Sequence, residues 1–263
     1  MLQRPAALRI ASPLAAVLAV LTIVLGACNS APAAPALTDP KDILTHALTS
    51  LQSVKTAEVV GTFTGSAKIP QMGDLDLSSI KLSAAIDIPN EKAKASVDAP
   101  TLLGTKLDAL VVGNAAYYKV AGPLAAFLNA SADKYTKVDV PAPSAAPSSG
   151  IAGMDDAVNQ LKQGLDKLPT PPTKQADEKC GDQDCYHVTV SLKAADLQAI
   201  EPSASVNADT TLDIWTRKSD YRPAKITVSV TSADIGTVGM TFAFTYDTSV
   251  SVDAPPADQI VSP

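Results

Sequence analysis

Residues 239–248 read Gly-Met-Thr-Phe-Ala-Phe-Thr-Tyr-Asp-Thr, so that large apolar side chains alternate with small or polar ones. Successive side chains of a β-strand point to opposite faces of its sheet. Met240, Phe242, Phe244 and Tyr246 therefore fall on one face, and the segment predicts a strand that is apolar on one side. The fold then depends on how many such segments the chain contains.

The same alternation recurs on both sides of this segment. Gly113-Asn114 separates two of the alternating stretches and is typical of a tight hairpin turn with positive φ. Together these stretches predict an antiparallel meander in which most strands have one apolar and one polar face. The further predicted strands are 59–68, 80–88, 93–99, 107–112, 115–120, 186–192, 210–216 and 224–231.

Two amphipathic helices accompany the strands. Asp39-Pro40 is typical of a helix N-cap followed by proline in the first turn, and apolar residues then recur at helical spacing as far as Val54. A second apolar stripe comprises Ile151, Met154, Val158, Leu161, Leu165 and Leu168, and Pro169 ends it. Shorter helices are expected at 123–130 and 194–200. The predicted fold class is α+β, an antiparallel sheet with amphipathic helices packed on it.

Composition excludes several functions. The chain has 263 residues, with 21 Lys and Arg against 27 Asp and Glu, and a net charge of −6. This balance argues against a nucleic-acid partner and against a polybasic membrane-binding surface. A hydrophobic fraction of 46% argues against a largely disordered chain. The length suits a single β-rich domain.

The first 28 residues are typical of an export signal. Arg4 and Arg9 precede the apolar run 14–25, which is too short to span a membrane by itself. Leu25-Gly26-Ala27-Cys28 then resembles the lipobox of bacterial lipoproteins. We therefore expect a signal peptide at 1–27, lipid attachment at Cys28, an Ala/Pro tether at 28–38 and an extracytoplasmic, membrane-anchored protein. The alternative is an ordinary secretory signal followed by a chance cysteine.

The other two cysteines enclose a polar turn. Cys180 and Cys185 flank Gly-Asp-Gln-Asp, and an exported protein meets an oxidising compartment, so we predict a structural disulfide between them. A metal site is the alternative, because His187 lies nearby. Two cysteines and one histidine leave a zinc site incomplete. A redox C-x-x-C motif has two intervening residues, whereas this pair has four.

No motif for catalysis is present in the sequence. The nucleophile elbow G-x-S-x-G, the phosphate loop G-x-x-x-x-G-K-[ST] and the dinucleotide pattern G-x-G-x-x-G are all absent. The acidic pairs do not match the spacing of a calcium loop. We therefore expect neither an enzyme nor a bound cofactor or metal. The apolar face of the predicted sheet can either pack into a filled core or line a ligand cavity. The residues alone favour the filled core.

Several segments resemble the LppX/LprG-type lipoproteins of mycobacteria and related bacteria. The resemblance begins at Cys28 and its tether and continues through 51–57 into the first strand. It includes Gly113-Asn114-Ala115-Ala116-Tyr117-Tyr118-Lys119. It is clearest at 211–217, Thr-Leu-Asp-Ile-Trp-Thr-Arg, followed by 222–226, Arg-Pro-Ala-Lys-Ile. The Cys180/Cys185 pair and the Pro/Ser-rich segment 141–150 depart from the pattern.

That resemblance implies a half-barrel of antiparallel strands with helices over its concave face and a hydrophobic cavity between them. It implies one domain over 39–253, followed by a C-terminal tail at 254–263. The implied function is carriage or export of a lipid or glycolipid, with a membrane lipid exporter as a partner and a monomeric state. The alternative is an envelope scaffold with a filled core. The side chains assigned to the cavity are Phe63, Leu82, Ile86, Tyr117, Leu161, Leu165, Ile226, Val228, Met240, Phe242 and Phe244.

Overall fold

The computed structural model describes residues 36–69, 73–127, 131–139, 154–195, 208–233 and 236–261. Residues Thr38–Pro263 form one compact unit. The predicted signal peptide, Cys28 and the segment 141–150 lie outside the described residues. Within the described ranges, no helix is long and apolar enough to cross a membrane.

A large, curved, unclosed sheet dominates the unit. Its strands follow the order β14-β7-β6-β5-β4-β3-β1-β13-β12-β11-β10-β8, with β2 paired to β1 and β9 paired to β10. All neighbours are antiparallel except β14 and β7. The strands are β1 (Thr56–Ile69), β2 (Gly73–Asp76), β3 (Lys81–Asp87), β4 (Lys92–Ala99), β5 (Thr105–Val112), β6 (Ala115–Ala121), β7 (Tyr135–Asp139), β8 (Thr173–Lys174), β9 (Glu178–Cys180), β10 (Gln183–Leu192), β11 (Asp209–Arg217), β12 (Pro223–Ser232), β13 (Gly236–Tyr246) and β14 (Ile260–Val261).

The sheet is accompanied by the α-helices α1 (Pro40–Leu51), α2 (Leu124–Phe127) and α3 (Met154–Asp166), and Ala257–Gln259 form a 3-10 turn. Residues 194 and 195 are helical as well, and the rest of the helix expected at 194–200 lies outside the described residues. The Asp39 carboxylate caps α1 by accepting from the backbone N–H groups of Lys41 and Asp42. Helix α1 packs against β10 and β11, and α3 packs against α1. The predicted α+β fold class is confirmed.

The strand register divides the sheet into two faces. Antiparallel partners lie on the same face, so the pairs Val59↔Phe244, Val59↔Ala84, Ala84↔Ala95 and Ala95↔Ala109 define one surface, which we call the apolar face. The next residue of β1, Val60, belongs to the opposite surface, the polar face. There it pairs with Ser83, which in turn pairs with Ser96. The alternation of apolar and polar residues in the sequence therefore predicts correctly which residues lie on each face of these strands.

Two small cores close the ends of the apolar face. Val54, Ala57 and Tyr246 are buried together where α1 leads into β1. At the other end, Leu77, Ile80 and Ala99 form the second core, against which Phe63 and Val97 pack. The middle of the apolar face lies between these cores, where Val59, Ala84 and Ala109 are half-buried and Ala95 is exposed.

The last described residues belong to the sheet. Ile260 and Val261 of β14 pair in parallel with Tyr135 and Thr136 of β7, so the segment assigned to a C-terminal tail contributes a strand. On its way there the chain crosses the polar face. Lys94 Nζ donates to the Ser251 carbonyl oxygen at 3.3 Å, and Val252 is buried.

Candidate ligand cavity

An open cavity of about 330 Å³ lies on the apolar face. Its lining comes from four adjacent strands, and most of it consists of small apolar side chains. Because alanine fills little space above a sheet, neighbouring larger side chains stand higher and leave a depression. The lining residues are Ala57, Val59, Ala84, Ala85, Ile86, Ala93, Lys94, Ala95, Ala109 and Val111.

Most of the side chains assigned to the cavity from sequence do lie on the apolar face. The register brings eight of them to this surface, and Ile86 lines the cavity itself. The others cover the sheet beside it, and Phe242 packs close to Gly61, where an added Cβ would lie 3.2 Å from the Phe242 ring. The eight residues are Phe63, Leu82, Ile86, Ile226, Val228, Met240, Phe242 and Phe244.

Tyr117 does not lie on that face. It pairs with Leu110, which pairs with Lys94, and both belong to the polar face. The assignment was wrong because β6 carries aromatic residues at two successive positions, and Tyr118 is the one on the apolar face. Tyr117 is nevertheless only 8% exposed. The C-terminal segment crosses the polar face in this region, where Lys94 donates to the Ser251 carbonyl oxygen.

The two leucines assigned from α3 are not in the cavity lining. Leu161 is 58% exposed, and Leu165 is half-buried. Helix α3 buries Val158 instead and packs against α1. The predicted second helix is thus present at Met154–Asp166, while Ile151, the first residue of its apolar stripe, lies outside the described residues.

The alanine residues of the lining were missed by sequence reasoning. Five of them, Ala57, Ala84, Ala93, Ala95 and Ala109, occupy apolar-face positions. The detectable signal was a run of small residues at the apolar positions of three consecutive strands, where a filled core requires large ones.

Two stacked aromatic rings of β13 stand beside the cavity. Phe244 stands opposite Val59 and stacks on Tyr246, with ring centroids 6.3 Å apart. The Tyr246 hydroxyl donates to the Pro223 carbonyl oxygen at 2.8 Å, and burial raises the pKa of this phenol. The guanidinium groups of Arg217 and Arg222 lie over the same ring, 5.0 and 5.4 Å from its centroid. These contacts fix Tyr246, and through it Phe244, in place.

A polar cluster lies on the opposite surface of β10 and β11. The two ring nitrogens of His187 are each 3.0 Å from a carboxylate oxygen, one of Glu178 and one of Asp213. The His187 ring also stacks on the single tryptophan, Trp215, with centroids 4.2 Å apart, and Lys225 Nζ lies 3.6 Å from the Trp215 ring centroid. His187 therefore connects β9, β10 and β11 rather than binding a metal.

The two cysteines beside this cluster are joined by the predicted disulfide, Cys180–Cys185. Their thiolates are consequently not available as metal ligands. Within the described ranges, no group of three or more His, Cys, Asp and Glu side chains is placed to hold a metal ion.

The Glu178 carboxylate is held in its charged form. The Trp215 indole donates to Glu178 Oε2 at 3.0 Å, and this bond, followed by that with His187, lowers the pKa of Glu178 below its usual value. A carboxylate whose pKa is lower in the folded state stabilises the fold above its unfolded-state pKa, about 4.3. That contribution is lost as the pH falls through the folded-state pKa.

We therefore expect Glu178→Gln to flatten the acid end of the stability profile. Between about pH 5 and pH 3, the free energy of unfolding should fall less steeply for the variant than for the unmodified protein. Urea unfolding at several pH values, followed by Trp215 fluorescence, measures both slopes. Equal slopes for the unmodified protein and Glu178→Gln would contradict the assignment.

Comparison with known proteins gives structural similarity only. No protein-family model matches the chain, and no curated protein matches its sequence. Among solved structures, it is similar to the crystal structure of lipoprotein LppX from Mycobacterium tuberculosis, with a TM-score of 0.48, 14% identity, and coverage of 81% of this chain and 98% of that one. It is also similar to the crystal structure of LprF from Mycobacterium bovis, with a TM-score of 0.47, 14% identity, and coverage of 82% and 96%.

The chain resembles these two lipoproteins. The chemistry of the ligand is inferred from the residues that line the cavity.

Proposed function

We propose that this protein is a membrane-anchored lipoprotein that binds an acyl chain of a lipid or glycolipid on the apolar face of its sheet. The observation that carries the proposal is the open, alanine-lined cavity of about 330 Å³ between two closed cores. Ligand pockets of this size are typically concave and mostly apolar. The proposed role of the complex is carriage or export of the lipid across the cell envelope.

Acyl chains suit this cavity energetically. Burial of each methylene group contributes about 0.8 kcal/mol, so a chain of ordinary length binds without a specific polar contact. The bound chain would also cover the half-buried side chains in the middle of the apolar face. A filled-core scaffold would instead bury these side chains against the protein itself, and an open cavity is not expected there.

The proposed anchor is Cys28. Two acyl chains on this residue would hold the protein stably at a membrane, whereas one gives only marginal binding. Cys28→Ser should remove the mass of the attached lipid from the chain, which intact-mass spectrometry of the membrane fraction measures. A lipid mass that persists in Cys28→Ser would contradict lipid attachment at this residue.

The ligand site is tested by NMR titration of the full chain with palmitate. The methyl resonances of Ala57, Ala84, Ala95 and Ala109 should shift together and saturate at one equivalent. The methyl resonance of Ala243, which pairs with Val60 on the polar face, should not shift. Unchanged spectra with palmitate and with a diacyl phospholipid would refute the proposal and favour the scaffold alternative.

A further inference from the structure

We infer that a single acyl chain lies across the strands, with its methyl end against Phe244 and its head group outside the sheet beyond β6 and β7. This inference rests on the proposed function and adds the orientation of the ligand. It also predicts that the protein selects ligands by the length of their hydrocarbon chain and not by their head group.

The shape of the cavity sets the direction of the chain. The lining spans four neighbouring strands, β1, β3, β4 and β5, which is three interstrand intervals or about 14 Å. Along the direction of each strand the lining is short. It contains only two successive apolar-face positions, such as Ala93 and Ala95, which are about 7 Å apart. An extended hydrocarbon chain therefore fits with its axis perpendicular to the strands.

The two ends of this trough differ. At the β13 end, Phe244 stands against Val59 and belongs to the core around Val54 and Tyr246. The strands beyond carry large side chains on the same face, including Phe242 and Ile226. Both rows of the lining therefore meet a large side chain at this end, Phe244 beside Val59 and the buried Tyr246 beside Ala57, and we take this end as closed.

The β6 end is open. The row that runs through Ala93 and Val111 continues to Ala116, a small residue, and then to Val138. Val138 is 42% exposed although it lies on the apolar face. It follows Tyr135 and Thr136, the two residues that β14 covers. The adjacent row, through Ala95 and Ala109, ends instead at Tyr118. The trough therefore opens along the Ala93 row, over small or exposed apolar residues, to the edge of the sheet.

This asymmetry defines the class of ligand. A lipid would enter with its hydrocarbon end first and leave its polar group in solvent, where the cavity makes no contact with it. The protein would then distinguish ligands by the length of one unbranched chain and would tolerate different head groups. Each methylene that fails to fit should weaken binding about fourfold, which follows from about 0.8 kcal/mol per buried methylene.

Spin-labelled stearate bound to the full chain tests the orientation. A nitroxide next to the terminal methyl should broaden the methyl resonances of Ala57 and Val59 more than those of Ala109 and Val111. A nitroxide next to the carboxylate should give the opposite pattern. Reversed patterns, or equal broadening by both labels, would overturn the inference while leaving the proposed function intact. Absence of any binding would refute both.

The closed end provides a second test. Val59→Phe enlarges the wall, so the preferred ligand should change from palmitate toward the shorter laurate. Val60→Phe is the matched control, because Val60 is the next residue on the polar face and is 56% exposed. It should keep the preference for palmitate. An unchanged chain-length preference in a folded Val59→Phe variant that still binds would also overturn the inference.

Discussion

Replacing Gly65 by alanine should destabilise the protein by about 4 kcal/mol, the combined effect of a strained backbone and an overpacked site. Gly65 has φ +85°, in the left-handed region, and a Cβ there would lie 2.1 Å from the Thr237 carbonyl oxygen. At this point β1 reaches the end of its pairing with β13, and Ser66 begins to pair with Asp76 of β2. Chemical denaturation measures the loss of stability.

Gly113→Ala is the matched control for this experiment. Gly113 also has positive φ, +57°, but an added Cβ would meet no atom within 4 Å. Only the conformational cost of about 1–2 kcal/mol then remains. Equal destabilisation by the two substitutions would show that the close approach to Thr237 does not constrain β1.

The second large effect is expected at the centre of the cavity. Ala95 lies on β4 between Ala84 and Ala109, and Ala95→Phe should weaken palmitate binding on the order of 100-fold. The added ring would displace several methylenes of the ligand, each worth about 0.8 kcal/mol. Because the ring enters open space, the variant should remain folded. Isothermal titration calorimetry measures the affinity.

Ala243→Phe adds the same ring to the other side of the sheet. Ala243 is exposed and pairs with Val60 and Lys225 on the polar face. Palmitate should bind this variant as it binds the unmodified protein. Palmitate affinity that is unaffected by Ala95→Phe, in a folded protein, would place the ligand elsewhere.

The fold was largely predictable because alternation fixes the faces of long strands. The segment 239–248 predicted a strand with Met240, Phe242, Phe244 and Tyr246 on one side, and the register of β13 confirms this. The short strands β2, β7, β8, β9 and β14 were not predicted. Strands of two to five residues contain too few positions for a period to be recognised, and they form through tertiary pairing with their partner strands.

The site was harder to predict than the fold. The prediction selected large apolar residues such as Phe63 and Met240 for the cavity. The lining consists mainly of alanines instead. A cavity arises where side-chain volume is missing, and that becomes visible only when the register brings Ala84, Ala95 and Ala109 into one row. Tyr117 shows the complementary difficulty, since two successive tyrosines leave the face of β6 ambiguous.

Native mass spectrometry of the protein, released from membranes and freed of detergent, tests the central claim most directly. We expect one equivalent of a co-purifying acyl lipid, identified after organic extraction, in the unmodified protein and in Ala243→Phe but not in Ala95→Phe. A protein that carries no lipid, and takes up none when palmitate, diacyl or triacyl lipids are supplied, would contradict the account of the apolar face as a lipid-binding surface.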